Sequence, residues 1–265
     1  MFEKQFFFFA FELEERVVNL CTSSFLVIHF TPRKLHPRLL LLTTTMDIRW
    51  QTLLMLLQTA LFILAWRYLH DYIRTNGPIR GASRVTKINS ILYAIASLAL
   101  LILILSPSHE SVAQQLYHAS KFYEYVDIFN VRASGGIIDL HFGFHHLTTC
   151  YLTFIRVIHN SEGWKPFAAL NAFHHSLMYA YFGGVQFPRP VLPWTGALQL
   201  VIGMAADIWV MKGKLEAGEG DVWPNVVSGC LLAAYLVLST RELLMRREQQ
   251  RAASMALREE TKKGK

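Results

Sequence analysis

The sequence predicts an all-α polytopic membrane protein of about seven transmembrane helices, and three observations carry that prediction. Apolar residues make up 52% of the 265 residues and charged residues only 17%. The apolar residues are bunched into runs close to the roughly 20 residues that a membrane-crossing helix needs. Aromatic residues, 13% of the chain, gather at the ends of these runs. Lys and Arg concentrate in the loop after residue 66 and in the C-terminal tail, as in a protein that keeps its positive loops on one side of a bilayer. A soluble bundle of buried helices has no reason to sort its charges this way. The net charge of +7 is thus a local excess and not a sign of nucleic-acid binding. The three cysteines, Cys21, Cys150 and Cys230, are too few and too scattered for a disulfide framework and mark neither a redox site nor a metal site.

Residues 1–45 read as an atypical N-terminal extension. Phe6 to Phe9 precede the acidic Glu12, Glu14 and Glu15, then a weak apolar run and a basic patch of Arg33, Lys34 and Arg38. A charged leader, apolar core and small-residue cleavage site do not occur in order, so no secretory signal is expected. Met46 opens a segment that leads straight into a span. The functional protein is expected to start near there, the alternative being an amphipathic or membrane-dipping extension.

The membrane domain is expected over 46–245, with spans at about 50–66, 88–106, 122–139, 141–158, 166–183, 192–211 and 225–241. Arg67, Arg74, Arg80, Arg84 and Lys87 place the loop after the first span in the cytosol. Ser106-Pro107 ends the second span, and residues 107–118, without Lys or Arg, fit a lumenal loop. The third span is polar and the fourth opens on histidines. Pro166 suits the first turn of the fifth, and Gly183-Gly184 suits its end. The sixth contains Asp207, and a Gly-rich loop with Trp223 and Pro224 leads into the seventh. Seven spans put the N-terminus in the lumen and the basic tail, 246–265, in the cytosol.

Polar residues inside these spans are costly and mark function, so they direct the search for chemistry. Lys121, Glu124 and Asp127 trace one side of a helix, with Lys121 and Glu124 able to pair. Such a stripe also anchors helix ends. His141 and His145 lie one turn apart on one face, and His146 points about 100° away. Asn171 and His175 are likewise i and i+4, so the amide is expected to orient the imidazole, with Tyr179 continuing the face. Gln199 and Asp207 both fit a cavity-facing side of the sixth span. A di-iron site needs more histidine boxes than this chain has: one box, one His174-His175 pair and an isolated His159. No metal is expected. Imidazoles converging from two spans in a water-excluding pocket serve as general base or as acyl-carrying nucleophile, and a thioester with a lipid tail calls for such a pocket within the membrane.

Three stretches, in order, carry a resemblance: KFYEYVD (121–127), HFGFHH (141–146) and NAFHHSLMY (171–179). They resemble the KxxExxD, HxxHH and NxxxHxxMY motifs of the ELO family, the elongases of very-long-chain fatty acids, over about residues 50–245. The resemblance implies a 3-oxoacyl-CoA synthase of the endoplasmic reticulum membrane, with helices enclosing an acyl tunnel. It would condense a long acyl-CoA with malonyl-CoA, release CO2 and CoA, and need no cofactor beyond these substrates. By motif, His145 would carry the acyl group and His175 would assist transfer or decarboxylation. His141 and His146 would shape the site. Lys121, Glu124, Asp127, Asn171, Tyr179 and Gln199 would bind substrate or hold its surroundings.

Here three residues, not two, separate the first two histidines of the box, a change that keeps one helix face and that a π-bulge would absorb. Ile128 stands where a threonine is common, and QxxQF reads Gln199-Leu-Val-Ile202-Gly203. The terminal Lys262-Lys263-Gly264-Lys265 resembles a dilysine retrieval signal. The other enzymes of the elongation cycle are partners by analogy. The alternatives from other classes are a non-catalytic lipid-binding or transport protein on this fold and a metal-dependent lipid oxidase.

Overall fold

The computed structural model describes residues 48–159 and 162–263, and every regular element among them is helical. The extension over 1–45 with its Cys21, and the last two residues of the Lys-rich terminus, lie outside the described residues. Among the described residues seven α-helices follow one another: α1 (Ile48–Asn76), α2 (Ala82–Leu105), α3 (Glu110–Ala133), α4 (Leu140–Thr153), α5 (Trp164–Phe182), α6 (Leu192–Glu216) and α7 (Trp223–Lys263). A 3-10 turn, Pro107–His109, leads into α3, and a π-helical stretch, Phe154–His159, extends α4. By length and composition, α1, α2, α6 and α7 are each able to cross a membrane. The three that fall short, α3, α4 and α5, are the ones that carry the polar motifs.

Several boundaries differ from the sequence reading. α1 continues to Asn76 instead of stopping near residue 66. α3 starts at Glu110, inside the stretch read as a lumenal loop, and stops at Ala133, not near 139. Hydropathy misplaces it because its first turns are polar. Its end is set by Gly135, whose φ of 88° is left-handed and suited to glycine. Asp139 then caps α4 by accepting the Phe142 N–H at 2.7 Å, which starts the helix just before the histidines.

Contacts divide the chain into Met1–Ala60, of which only the start of α1 is described, and Leu61–Lys265. Within the second unit α2 packs on α3 and α5, α5 on α6, α6 on α7, and α7 on α4, which returns to α3. Six helices therefore close a ring. From Leu61 onward α1 lies outside it, touching it through Phe62, whose ring is 4.2 Å from Tyr125 and 5.4 Å from Phe129.

The helices of the ring are amphipathic in the inverse sense of a soluble bundle. On α2, Asn89, Ser90, Tyr93 and Ser97 are buried while Ile91, Leu92, Ile95, Leu98, Ile102 and Leu105 are exposed. Lipid accepts the apolar side, and the polar side must find partners within the ring. Small residues let helices approach. A Cβ on Gly203 of α6 would come within 2.8 Å of both Leu232 of α7 and Phe167 of α5.

One end of the ring is tied by charges: Lys165 of α5 meets Glu110 of α3 at 2.7 Å, and Trp164 donates to Glu110 at 3.2 Å. Inside that end lies a buried ion pair. Arg156, on the π stretch, donates through Nε and Nη2 to Asp207 Oδ1, both at 2.7 Å, and through Nη2 to the Glu162 carbonyl at 2.9 Å. Asn225 of α7 donates to the same oxygen at 2.9 Å. Arg156 and Asp207 lie on the wall of a small cavity of about 20 Å³ lined also by Leu152, Phe167 and Leu232.

Removing one partner of such a pair strands the other's charge. Asp207→Ala should cost about 3–5 kcal/mol, while Arg156→Met with Asp207→Leu should recover most of that loss in thermal unfolding. The Glu110 carboxyl is exposed, and its hydrogen bonds from Lys165 and Trp164 hold it below the usual carboxylate range. A carboxyl lowered by folding stabilises at neutral pH and loses that contribution as pH falls through the carboxylate range. The difference in melting temperature between wild type and Glu110→Gln should therefore shrink on acidification.

Candidate functional site

Glu124 sits in the middle of α3, fully buried, in an interior that would not tolerate an uncompensated carboxylate. Four helices supply what surrounds it. Lys121, one turn earlier on α3, reaches Oε1 at 2.7 Å, and Tyr93 of α2 donates to the same oxygen at 2.9 Å. His175 Nδ1 of α5 lies 3.2 Å from Oε1, and His146 Nδ1 of α4 lies 3.4 Å from Oε2. Lys121 also donates to Asn171 Oδ1 at 2.8 Å and lies 4.8 Å over the Tyr117 ring. Tyr117 donates to the same Asn171 oxygen at 3.0 Å, and the Asn171 amide donates to Gln199 Oε1 at 2.9 Å. A polar network thus runs from α2 through α3 and α5 to α6.

Most of the residues singled out in the sequence meet here. Asp127 accepts from Tyr179 at 3.3 Å, and Tyr179 packs edge-on against Tyr93 with ring centroids 4.5 Å apart. Asn171 takes a different place from the one expected. It bonds Lys121, Tyr117 and Gln199, and Glu124 is the group that faces His175 Nδ1. The amide is drawn away because a buried ammonium and a phenol both need an acceptor. Asp207, expected on the same cavity as Gln199, belongs instead to the Arg156 pair. The two histidines of the 174–175 pair diverge: His174 Nδ1 meets Thr195 Oγ1 of α6 at 2.8 Å.

The box stays regular α-helix, and the π stretch begins only at Phe154. His141 and His145 lie one turn apart as expected, with centroids 5.9 Å apart, and His145 and His146 are nearly perpendicular at 5.3 Å. The Nδ1 atoms of His145 and His146 are both buried without a hydrogen-bond partner, but His146 Nδ1 lies 3.4 Å from Glu124 Oε2, within ion-pair reach, and no carboxylate stands that close to His145 among the described residues. One atom from each of Glu124, His145 and His175 lies within 4.8 Å of the others. That donor set would suit a transition metal, but Lys121 already neutralises Glu124 at 2.7 Å and opposes a second cation there. The set is better suited to organic chemistry at an imidazole.

Tyr93, Tyr117 and Tyr235 belong to the site and escaped the motif search. Tyr93 and Tyr235 each lie inside a span with a hydroxyl that must find a partner at membrane depth, which is the signal that would have found them; Tyr117 falls in the stretch read as a loop and carries no such signal.

Comparison with known proteins places the chain among relatives. Residues 15–239 match the family described as ELO: GNS1/SUR4 family. A stretch of 134 residues is 28% identical to "Fatty acid elongase 1" of Trypanosoma cruzi (strain CL Brener). The match covers 46% of this chain and 46% of that protein, so the chain spans about half the length of the curated relative it matches. No solved structure matches.

The Tyr93 hydroxyl tests how far Glu124 depends on its donors. Tyr93→Phe removes one hydrogen bond to a buried charge and should lower unfolding stability in detergent by about 1.5–3 kcal/mol. Unchanged stability would mean that the other donors suffice.

Proposed function

The chain belongs to the ELO family, and from that premise we propose that it is a condensing enzyme of fatty acid elongation, a very-long-chain 3-oxoacyl-CoA synthase. The observation that carries the chemistry is the buried, unpartnered nitrogen of His145 beside Glu124 and His175. A nucleophile needs a lone pair that neither a hydrogen bond nor a neighbouring charge has claimed; His146 Nδ1 faces Glu124 Oε2 at 3.4 Å, which leaves His145 as the imidazole of the adjacent pair free of such a partner.

In the first half-reaction a His145 nitrogen attacks the thioester carbonyl of a long-chain acyl-CoA. The N–C bond forms, the C–S bond breaks, and the imidazole proton passes to the leaving thiolate to give free CoA. In the second, malonyl-CoA loses CO2, and the electron pair left on carbon attacks the acyl carbonyl. The C–C bond forms, the N–C bond breaks, and the imidazole recovers a proton. His175, fixed by Glu124, assists transfer or decarboxylation. His146, facing the other oxygen of Glu124, and His141 shape the site around His145. Lys121, Asn171, Tyr179, Asp127 and Gln199 hold the polar network in register. No cofactor takes part, and both substrates are CoA thioesters.

The ring interior keeps water from the acyl-imidazole, which water would hydrolyse. The loop end that carries Arg74, Arg80, Arg84 and Lys87, together with Arg246 on α7, faces the cytosol in this reading, as positive loops do. The membrane is that of the endoplasmic reticulum, where reductases and a dehydratase would take up the 3-oxoacyl product.

Incubation of the purified protein with a long-chain acyl-CoA, without malonyl-CoA, should add one acyl group to His145 and release CoA, as read by mass spectrometry. His145→Ala should abolish both. No adduct and no CoA release across several chain lengths would overturn the synthase and favour a non-catalytic lipid-binding relative.

A further inference from the structure

Three histidines lie around Glu124, and they are not held in the same way. The Nδ1 atoms of His175 and His146 lie 3.2 and 3.4 Å from its carboxylate. His145 Nδ1 has no such partner. Its ring must therefore be oriented by packing. His141 and His146 of its own helix lie 5.9 and 5.3 Å away between centroids, and the ring that meets it from another helix, closer than either, is Tyr235 of α7, 4.7 Å away and inclined at 75°, an edge-to-face contact.

Tyr235 is fixed more firmly than an aromatic core residue needs to be. It is fully buried, and its hydroxyl lies 2.7 Å from Thr148 Oγ1. Thr148 spends its single proton on the Phe144 carbonyl, also at 2.7 Å, so the tyrosine donates and the threonine accepts. Because residues three apart share a helix face, Tyr235 rests its ring on His145 and its hydroxyl on Thr148, spanning one turn of α4. Phe144 closes the third side at 5.8 Å. One turn back on α7, Leu232 is buried and packs where Gly203 opens α6. The ring is thus held at both ends before any substrate arrives.

We propose that Tyr235 is the positioning residue for His145: its ring sets the plane of the imidazole while leaving the ring nitrogen uncommitted, which a hydrogen-bonding partner would not do. The hydroxyl has its proton on Thr148, so it anchors the tyrosine and does not take part in acyl transfer. This role rests on His145 as the acyl carrier. Tyr235 lies outside the three motifs that carry the family resemblance.

The test uses full-length protein in detergent, with Tyr235→Leu, Tyr235→Met and Tyr235→Phe each checked for a folded, monodisperse state. Tyr235→Leu should slow His145 acylation and kcat by on the order of tenfold to a hundredfold, the cost of a misaligned reacting group, with KM for acyl-CoA little changed. Tyr235→Phe should keep most of the wild-type rate. Wild-type acylation in Tyr235→Leu, or an equal loss in Tyr235→Phe, would overturn the proposal. If Tyr235→Leu does not fold, Tyr235→Met, which fills the site without a ring, replaces it under the same criteria. Carbethoxylation of His145 relative to His146 by diethylpyrocarbonate, read by peptide mass spectrometry, needs no acyl chemistry. A ratio altered in Tyr235→Leu and preserved in Tyr235→Phe supports the positioning role even if no acyl adduct forms, in which case the synthase reading alone fails. An unaltered ratio in Tyr235→Leu overturns the positioning role.

Discussion

A single buried carboxylate organises the interior of this protein. Glu124 has Tyr93 from α2, Lys121 from its own helix, His146 from α4 and His175 from α5 within hydrogen-bond or ion-pair reach. In water these groups would be solvated and indifferent to one another. Inside a lipid-embedded ring each must find a protein partner, and the nearest negative charge becomes the point on which separate helices agree. The consequence is non-additive. Removing one donor leaves the others competing for the same oxygens, so the couplings among Tyr93, Lys121 and His175 should be large relative to their separate effects.

The arrangement of α2 shows why the polar groups gather at all. Its lipid side is a continuous surface of Ile and Leu, and its inward side offers Asn89, Ser90, Tyr93 and Ser97. Apolar contact gives little drive for helices to associate in lipid, so polar contacts and close packing take over. Close approach at Gly203 and the ion pair of Arg156 with Asp207 serve the same end away from the histidines. The network around Glu124 and the one around Asp207 are of one chemical kind, and the histidines add titratable nitrogens to the first alone.

The sequence revealed the helical class, the order of the seven helices and nearly all the residues around Glu124, because motif spacing and apolar run length are both local properties. It misplaced α3, whose polar first turns hid a helix that starts at Glu110. It assigned Asn171 to His175 because i, i+4 spacing names neighbours on one helix and cannot weigh Lys121 and Tyr117 arriving from another. Tyr235 and Arg156 stayed silent for the same reason. Their partners are 87 and 51 residues away in the chain, and nothing local marks such a pairing.

The π stretch at Phe154–His159 bears on how this chain compares with others. A π turn holds one residue more than an α turn over the same rise of backbone hydrogen bonding. A relative that continued as plain α-helix after Thr153 would keep its helix axis and its histidines in place, yet fall out of register by one position beyond them. Aligned without a gap, its residues would be set against the wrong partners from Phe154 to the start of α5. Arg156, the cation that Asp207 answers, stands inside that window. Its counterpart in such a relative would have to be sought by position in space, facing α6, and not by column.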